Sequence, residues 1–288
     1  MSKQHPAAND VAVIEVRNRN LTSNMPGDHV NYDQIAPAYH QRYALNALNG
    51  VAVSLLALAR ECGAQQILEA GCGTGRWLAE LWPVAHRIYG LDLSPGMLGQ
   101  ARQQDARFRL ICAHATRLPF PEAAFDLVFC VNALHHFDAP RVFISEARRL
   151  LRPGGALAVV GMDPHTGRDD WYLYHYFEGT LAADLARFPS AGTILDWMTA
   201  SGFDQVERRV AEHINGHFLG REVLGDYFLQ KHSTSQLALL TDEVYAAGVR
   251  RIEAALAAAE AEGETLVFPN DLSLTILIGR TPSSEPKP

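Results

Sequence analysis

Short unbroken apolar runs alternate with amphipathic stretches through the first half of the chain, and this alternation restricts the fold more than any other feature of the sequence. QQILEAG is followed by RWLAELW, and RIYGLDLS by PGMLGQARQQ. FRLICAHA leads on to FDLVFCVNAL, then a helical stretch over 140–151, then GGALAVVGM after the turn residues Arg152, Pro153, Gly154 and Gly155. Runs that are apolar at every position suit parallel strands covered by helices on both faces. The spacing therefore predicts repeated strand-helix-strand units. Ahead of them Leu45, Leu48, Leu55, Leu56 and Leu58 recur at helical spacing, which predicts one amphipathic helix over 43–61, stopped by Gly63.

The second half is less regular. A helix is expected over 194–200, ended by Gly202, then a strand over 206–214 and a last strand over 272–279. The segment between those strands is too long for a hairpin loop and reads as a helical insertion at about 218–262. In it Tyr245, Val249, Ile252 and Leu256 form one stripe, with Thr241 as N-cap and Asp242 and Glu243 in the first turn. Such a stripe needs cover, either on the open carboxyl edge of the sheet or against a second copy in a homodimer. Residues 1–30 are expected to be a flexible leader and 281–288 a flexible tail, around a single domain over 31–280.

Composition narrows the function. With 48% hydrophobic and 20% charged residues, the 288-residue chain can bury one large core. A net charge of −7 supplies no basic footprint for a phosphate backbone, so no nucleic-acid partner is expected. No run approaches the roughly 20 apolar residues of a membrane span. Cys62, Cys72, Cys112 and Cys130 lie far apart without a CxxC pair, which suits a reducing cytoplasm. No metal is expected: there is no HExxH, and Gly216 between His213 and His217 breaks helical ligand spacing at a strand end.

The sharpest motif is Glu69-Ala70-Gly71-Cys72-Gly73-Thr74-Gly75, which follows an apolar strand and opens a helix. Glycines there let the backbone turn tightly and let a ligand approach the main chain, and a helix N-terminus offers free N–H groups. The bland reading is a tight strand-to-helix connection. Asp92, at the end of the next strand, can accept hydrogen bonds from both hydroxyls of a ribose; its bland reading is a helix cap, a place Ser94 already fits.

With these motifs in hand, the chain resembles the class I S-adenosylmethionine-dependent methyltransferases, in particular the branch with the ubiquinone/menaquinone C-methyltransferases and small-molecule methyltransferases. ILEAGCGTG, GLDLSPGML, ATRLPFPEAAFDLVFCVNALHHF and LRPGGALAVV carry the resemblance, over about residues 32–161. The glycines fit GxGxG; the dinucleotide pattern GxGxxG would need a glycine at Arg76. The resemblance implies a Rossmann-like α/β fold. Its sheet is mixed and seven-stranded with helices on both faces, an N-terminal helical segment and the helical insertion between the last two strands.

It further implies S-adenosylmethionine as cofactor, with Glu69, Gly71, Cys72 and Gly73 along its amino-acid portion, Asp92 on the ribose, Leu93 and Met97 on the adenine, and Asn132 near the methionyl amino group. Where the family carries an aspartate for the adenine amino group this chain has His114, followed by Ala115 and Thr116. A neutral ring nitrogen or a backbone carbonyl has to serve there. In Tyr32-Asp33-Gln34-Ile35-Ala36-Pro37-Ala38-Tyr39 the family's N-terminal pattern returns, which makes Tyr39 either part of a lid or a core aromatic.

Methyl transfer from a sulfonium is an in-line displacement, so alignment and exclusion of water do most of the work. Where the acceptor must lose a proton, a histidine suits the task. His135 is the first candidate and His136 the second, both just beyond the fourth strand, with Asp163 and His165 in reserve; adjacent histidines are also ordinary loop residues. The acceptor is expected to be a small molecule, in a pocket built by 20–45, 163–195 and 215–265. The WYLYHYF run either lines that pocket or packs a helix on the sheet. Two rival readings stay open: a binding or regulatory subunit with this fold, and transfer of another group from a related sulfonium.

Overall fold

The computed structural model describes residues 30–39 and 41–283; the expected leader, apart from Val30, and the tail beyond Ser283 lie outside the described residues. Three N-terminal helices, α1 (Tyr32–Tyr39), α2 (Gln41–Leu45) and α3 (Asn49–Glu61), precede the alternating core. The core then runs β1 (Gln66–Ala70), α4 (Arg76–Leu81), β2 (Arg87–Asp92), α5 (Pro95–Gln104), β3 (Arg109–Cys112), β4 (Phe125–Val131), α6 (Pro140–Leu150) and β5 (Leu151–Gly161). The rest is β6 (Asp170–Trp171), α7 (Tyr172–Tyr176), α8 (Thr180–Arg187), α9 (Ala191–Ala200), β7 (Gln205–Leu219), α10 (Ser235–Ala238), α11 (Asp242–Glu262) and β8 (Val267–Arg280).

The sheet runs β3-β2-β1-β4-β5-β8-β6, with β7 also paired to β8. β1 to β5 pair in parallel and β8 runs antiparallel to β5, β6 and β7. The sheet has eight strands where the sequence predicts seven. The extra one, β6, is only two residues long, too short for a hydrophobic period to show. The Rossmann-like arrangement with helices on both faces is otherwise as expected.

Two further expectations need correction. The leucine stripe over 43–61 is two helices, because the chain breaks where the Asn46 side chain accepts the Leu48 N–H and Leu48 takes a left-handed φ of 48°. A short polar side chain that bonds to nearby backbone competes with helix in this way. The last two strands are longer than their apolar cores, since β7 and β8 pair all the way from Gln205↔Arg280 to Leu219↔Val267. The stretch from Arg152 to Gly155 is an irregularity within β5, with Gly154 at φ 76°.

One apolar layer, with Leu55, Trp77, Leu78 and Phe129 among its members, packs under α3 and α4; the opposite layer holds Leu68, Val128, Phe143 and Met198 under α6 and α9. A third cluster joins Tyr172, Leu173 and Phe177 of the WYLYHYF run to Ile252 and Leu256 of α11, and to Phe268. Most of that run therefore packs helix on helix. α11 sits so close that a Cβ on Gly248 would come within 2.2 Å of the Phe177 ring.

Candidate functional site

The turn after β1 follows from its glycines. Gly71, Gly73 and Gly75 all have positive φ, at 71°, 51° and 82°, a region closed to most side chains. At Gly71 the space is also closed: an added Cβ would lie 2.6 Å from Cβ of Ala133, in the loop after β4. That loop turns sharply at Asn132, whose φ is 49° and whose N–H donates to the Val160 carbonyl at 2.8 Å. The two loops at the carboxyl edge are thus wedged together.

Asp92 closes the cradle. Its carboxylate accepts the N–H of Gly73 at 2.8 Å and of Ser94 at 2.9 Å, which ties the glycine turn to the next strand end. Burial raises its pKa above the ordinary carboxylate value, against the pull of those N–H donors. Each carboxylate oxygen keeps a lone pair for a further donor. Glu69 lies beside it, 1% exposed, and its Oε2 has no hydrogen-bond partner. Burial first, and the Asp92 charge second, push its carboxyl well above the usual range. A buried carboxyl oxygen without a partner is costly, and a ligand ammonium group would satisfy it.

Around this cradle Leu93 is 51% exposed whereas Met97 is buried, its N–H held by the Ser94 cap. Ala115 is buried and Thr116 half-buried at the end of β3. His114 Nδ1 lies 3.7 Å from Asp138 Oδ2. Cys72 is buried, its thiol pushed well up by burial. Tyr39 stands over the turn, 3.9 Å from where a Gly73 Cβ would be.

Next to the cradle opens a cavity that is continuous with solvent. Tyr32, Tyr39 and Arg42 wall it on one side, Asn132, His135 and Met162 on the sheet side, and Trp171, Phe188, Phe228 and Gln236 on the third. All three expected regions contribute to its walls, and the WYLYHYF run supplies only Trp171. The insertion reaches it through Phe228 and the stretch 234–236, with α11 packed behind.

His135 stacks flat on Phe188, with ring centroids 3.7 Å apart and planes 15° from parallel. Burial, and then His136, Arg187 and Arg42, hold its imidazole well below the ordinary value, so it is neutral. His136 is bonded through Nε2 to the Tyr32 hydroxyl at 2.7 Å. Asp163 has a different occupation: one oxygen accepts the His165 N–H and the other the Ala191 N–H, capping the start of α9. His165 Nε2 donates to the Phe188 carbonyl at 2.8 Å. Sequence reasoning missed Arg42, Phe188 and Gln236 as individual wall residues; none lies in a motif, and only their neighbours in space mark them.

α1 bridges both parts. Asp33 Oδ1 accepts from the Ser94 hydroxyl at 2.6 Å and the Gly96 N–H at 2.8 Å, while Tyr32 reaches His136. Among the described residues no group of three or more His, Cys, Asp or Glu could hold a metal, and no helix is long and apolar enough to cross a membrane.

Comparison with known proteins bears on this geometry. Residues 68–159 match the model of the methyltransferase domain family. The malonyl-[acyl-carrier protein] O-methyltransferase of Hahella chejuensis is 42% identical over 113 residues, which are 37% of this chain and 40% of that protein. The demethylmenaquinone methyltransferase of Clavibacter sepedonicus is 27% identical over 206 residues, 62% of this chain and 82% of that one. The chain thus spans well under two thirds of the first relative's length. Among solved structures, phosphoethanolamine N-methyltransferase 2 of Haemonchus contortus, in complex with S-adenosyl-L-methionine, shares the fold. Its TM-score is 0.55 at 18% identity, over 87% of this chain and 57% of that one.

Proposed function

We propose that the chain, whose residues 68–159 match a methyltransferase domain family, transfers a methyl group from S-adenosylmethionine to a small-molecule acceptor bound in the aromatic cavity. The observation that carries this reading is the shared wall: Tyr39 stands against Gly73 of the cradle and lines the cavity, and Asn132 in the cavity wall directly precedes Ala133, which lies against Gly71. The cradle fits the cofactor by its donors and acceptors. Glu69 Oε2 would take the methionyl ammonium group, Gly71, Cys72 and Gly73 would pack along the amino-acid portion, and the free lone pairs of Asp92 would accept the ribose hydroxyls. Leu93, Ala115 and Thr116 would border the adenine, with Met97 beneath them and His114 or a carbonyl facing its amino group.

When bound, the cofactor supplies an electrophilic methyl group on a sulfonium. The protein has to align a lone pair of the acceptor behind that methyl and keep water away, and Tyr32 and Tyr39 on one side and Phe188 on another help to enclose the cavity. For an acceptor that loses a proton, His135 in the cavity wall is the first candidate to take it, ahead of His136, which is bonded to Tyr32, and Asp163, which caps α9. We read residues 31–280 as one domain, with the insertion forming part of the acceptor wall.

The test uses methyl-labelled S-adenosylmethionine and titration calorimetry with S-adenosylhomocysteine on the purified chain. Binding of both cofactor forms, with label appearing on an added acceptor, is the expected result. Cofactor binding without turnover over a broad acceptor panel would favour a regulatory subunit, and label retained in the nucleoside product would favour transfer of a different group.

A further inference from the structure

The residues lining the cavity include Arg42 and no Asp, Glu or Lys. In a chain with a net charge of −7 that is an unusual balance for a ligand site. Several other guanidiniums among the described residues meet carboxylates. Arg187, near the same cavity, is neutralised by the buried Asp184 at 2.7 Å, and Arg76, Arg149 and Arg152 each meet a carboxylate.

Arg42 is not matched in this way. Its Nη1 donates to the Tyr39 hydroxyl at 2.8 Å, and its guanidinium carbon stands 4.8, 5.8 and 5.9 Å from the ring centroids of Tyr39, Tyr43 and Phe228. Among the described residues no carboxylate pairs with it. Aromatic faces stabilise the cation but accept none of its N–H groups. A guanidinium has five such groups in a fixed fork that fits a carboxylate with two parallel bonds.

Resting on the methyltransferase reading of this site, we propose that the methyl acceptor is an organic carboxylate with a flat apolar body, bound through Arg42. The body would lie among Trp171, Phe188 and Phe228, and the carboxylate between Arg42 and the neutral polar side chains Asn46 and Gln236. Cationic acceptors are disfavoured by the same arrangement, because no carboxylate in the lining offsets a second positive charge beside Arg42.

Equilibrium binding of three probes to the chain saturated with S-adenosylhomocysteine tests this: 1-naphthoate, 1-naphthamide and 1-naphthylmethylammonium. Naphthoate should bind about tenfold or more tightly than either of the others, and Arg42→Gln should erase that preference while Arg42→Lys keeps part of it. Equal binding of the amide, tighter binding of the ammonium, or no naphthoate binding overturns the proposal on the wild-type chain alone, whatever the variants do. A second arm compares S-adenosylhomocysteine with its decarboxylated analogue. If Arg42→Gln removes a preference for the carboxylated form and leaves naphthoate binding intact, the guanidinium serves the cofactor and the proposal fails. Absence of S-adenosylhomocysteine binding instead removes the methyltransferase reading, and the probe series without it still reads the anion preference.

Discussion

The cofactor cradle and the acceptor cavity share a wall but are built in opposite ways. The cradle is made of neighbours: Asp92 holds the N–H of Gly73, 19 residues back, and of Ser94, two residues on. The cavity is made of strangers, and the bond from Tyr32 to His136 in its wall spans 104 residues. A site assembled from one contiguous motif is fixed by backbone geometry, and it changes little with the rest of the chain. A site assembled from three distant segments is fixed by packing, where volume and shape decide and many sequences serve. The first kind sets the reagent; the second sets the acceptor.

The strongest way to break the comparison is Gly71→Ala. The new methyl would meet Ala133 at 2.6 Å in a left-handed backbone, so the two loops of the cradle must part. Affinity for S-adenosylhomocysteine by calorimetry should fall by about a hundredfold or more, equivalent to roughly 2.7 kcal/mol. Near-normal affinity would show the cradle to be as tolerant as the cavity. Asp92→Ala comes next, with an expected loss of about 1.5–3 kcal/mol in the same measurement, because charge-assisted acceptors for the ribose disappear. An unchanged value removes Asp92 from the site.

Glu69→Gln sharpens the contrast by separating stability from binding. Burial raises the folded pKa of Glu69, so the folded state holds its proton longer than the unfolded chain, and stability falls as pH rises from about 4.5 through the raised value. The variant should therefore be more stable than wild type near pH 7, by about 1–2 kcal/mol in urea unfolding, yet bind S-adenosylhomocysteine more weakly. Lower stability with normal binding would mean that Glu69 belongs to the core.

The smallest effect belongs to the cavity. His135 has a depressed folded pKa, so the unfolded chain takes the proton first, and stability is lost as pH falls below about 6.5 toward the folded value, by at most about 1.4 kcal/mol per pH unit. His135→Phe should flatten that acid limb and leave cofactor affinity within about twofold. An acid limb of the same slope in the variant would place the titration elsewhere.

Much of this was legible in the sequence because it is written in short periods. Apolar runs gave β1 to β5 in order, Ser94 and Thr241 cap their helices as read, and the glycines occupy the positive-φ positions their spacing implied. β6 escaped because two residues have no period, and the break at Leu48 escaped because a leucine in a left-handed turn looks like any other member of an apolar stripe. Arg42 and Phe188 are silent in sequence for a related reason. Their importance lies in what faces them across the cavity, and those partners come from segments whose approach depends on the whole sheet being closed. Asp163 shows the converse, a residue at the right strand end whose oxygens are already used by backbone donors.

The hold of α1 on both sites has a kinetic consequence. Its Asp33 is bonded to the cap of α5 beside the cradle, and its Tyr32 to His136 in the cavity wall. On the proposed reading, a movement of this helix to admit the nucleoside would loosen the cavity wall as well, so the two compartments would open together. On that reading the expected order is that the nucleoside enters before the acceptor and the methylated product departs before the spent nucleoside. Steady-state inhibition by S-adenosylhomocysteine should accordingly be competitive toward S-adenosylmethionine and noncompetitive toward the acceptor.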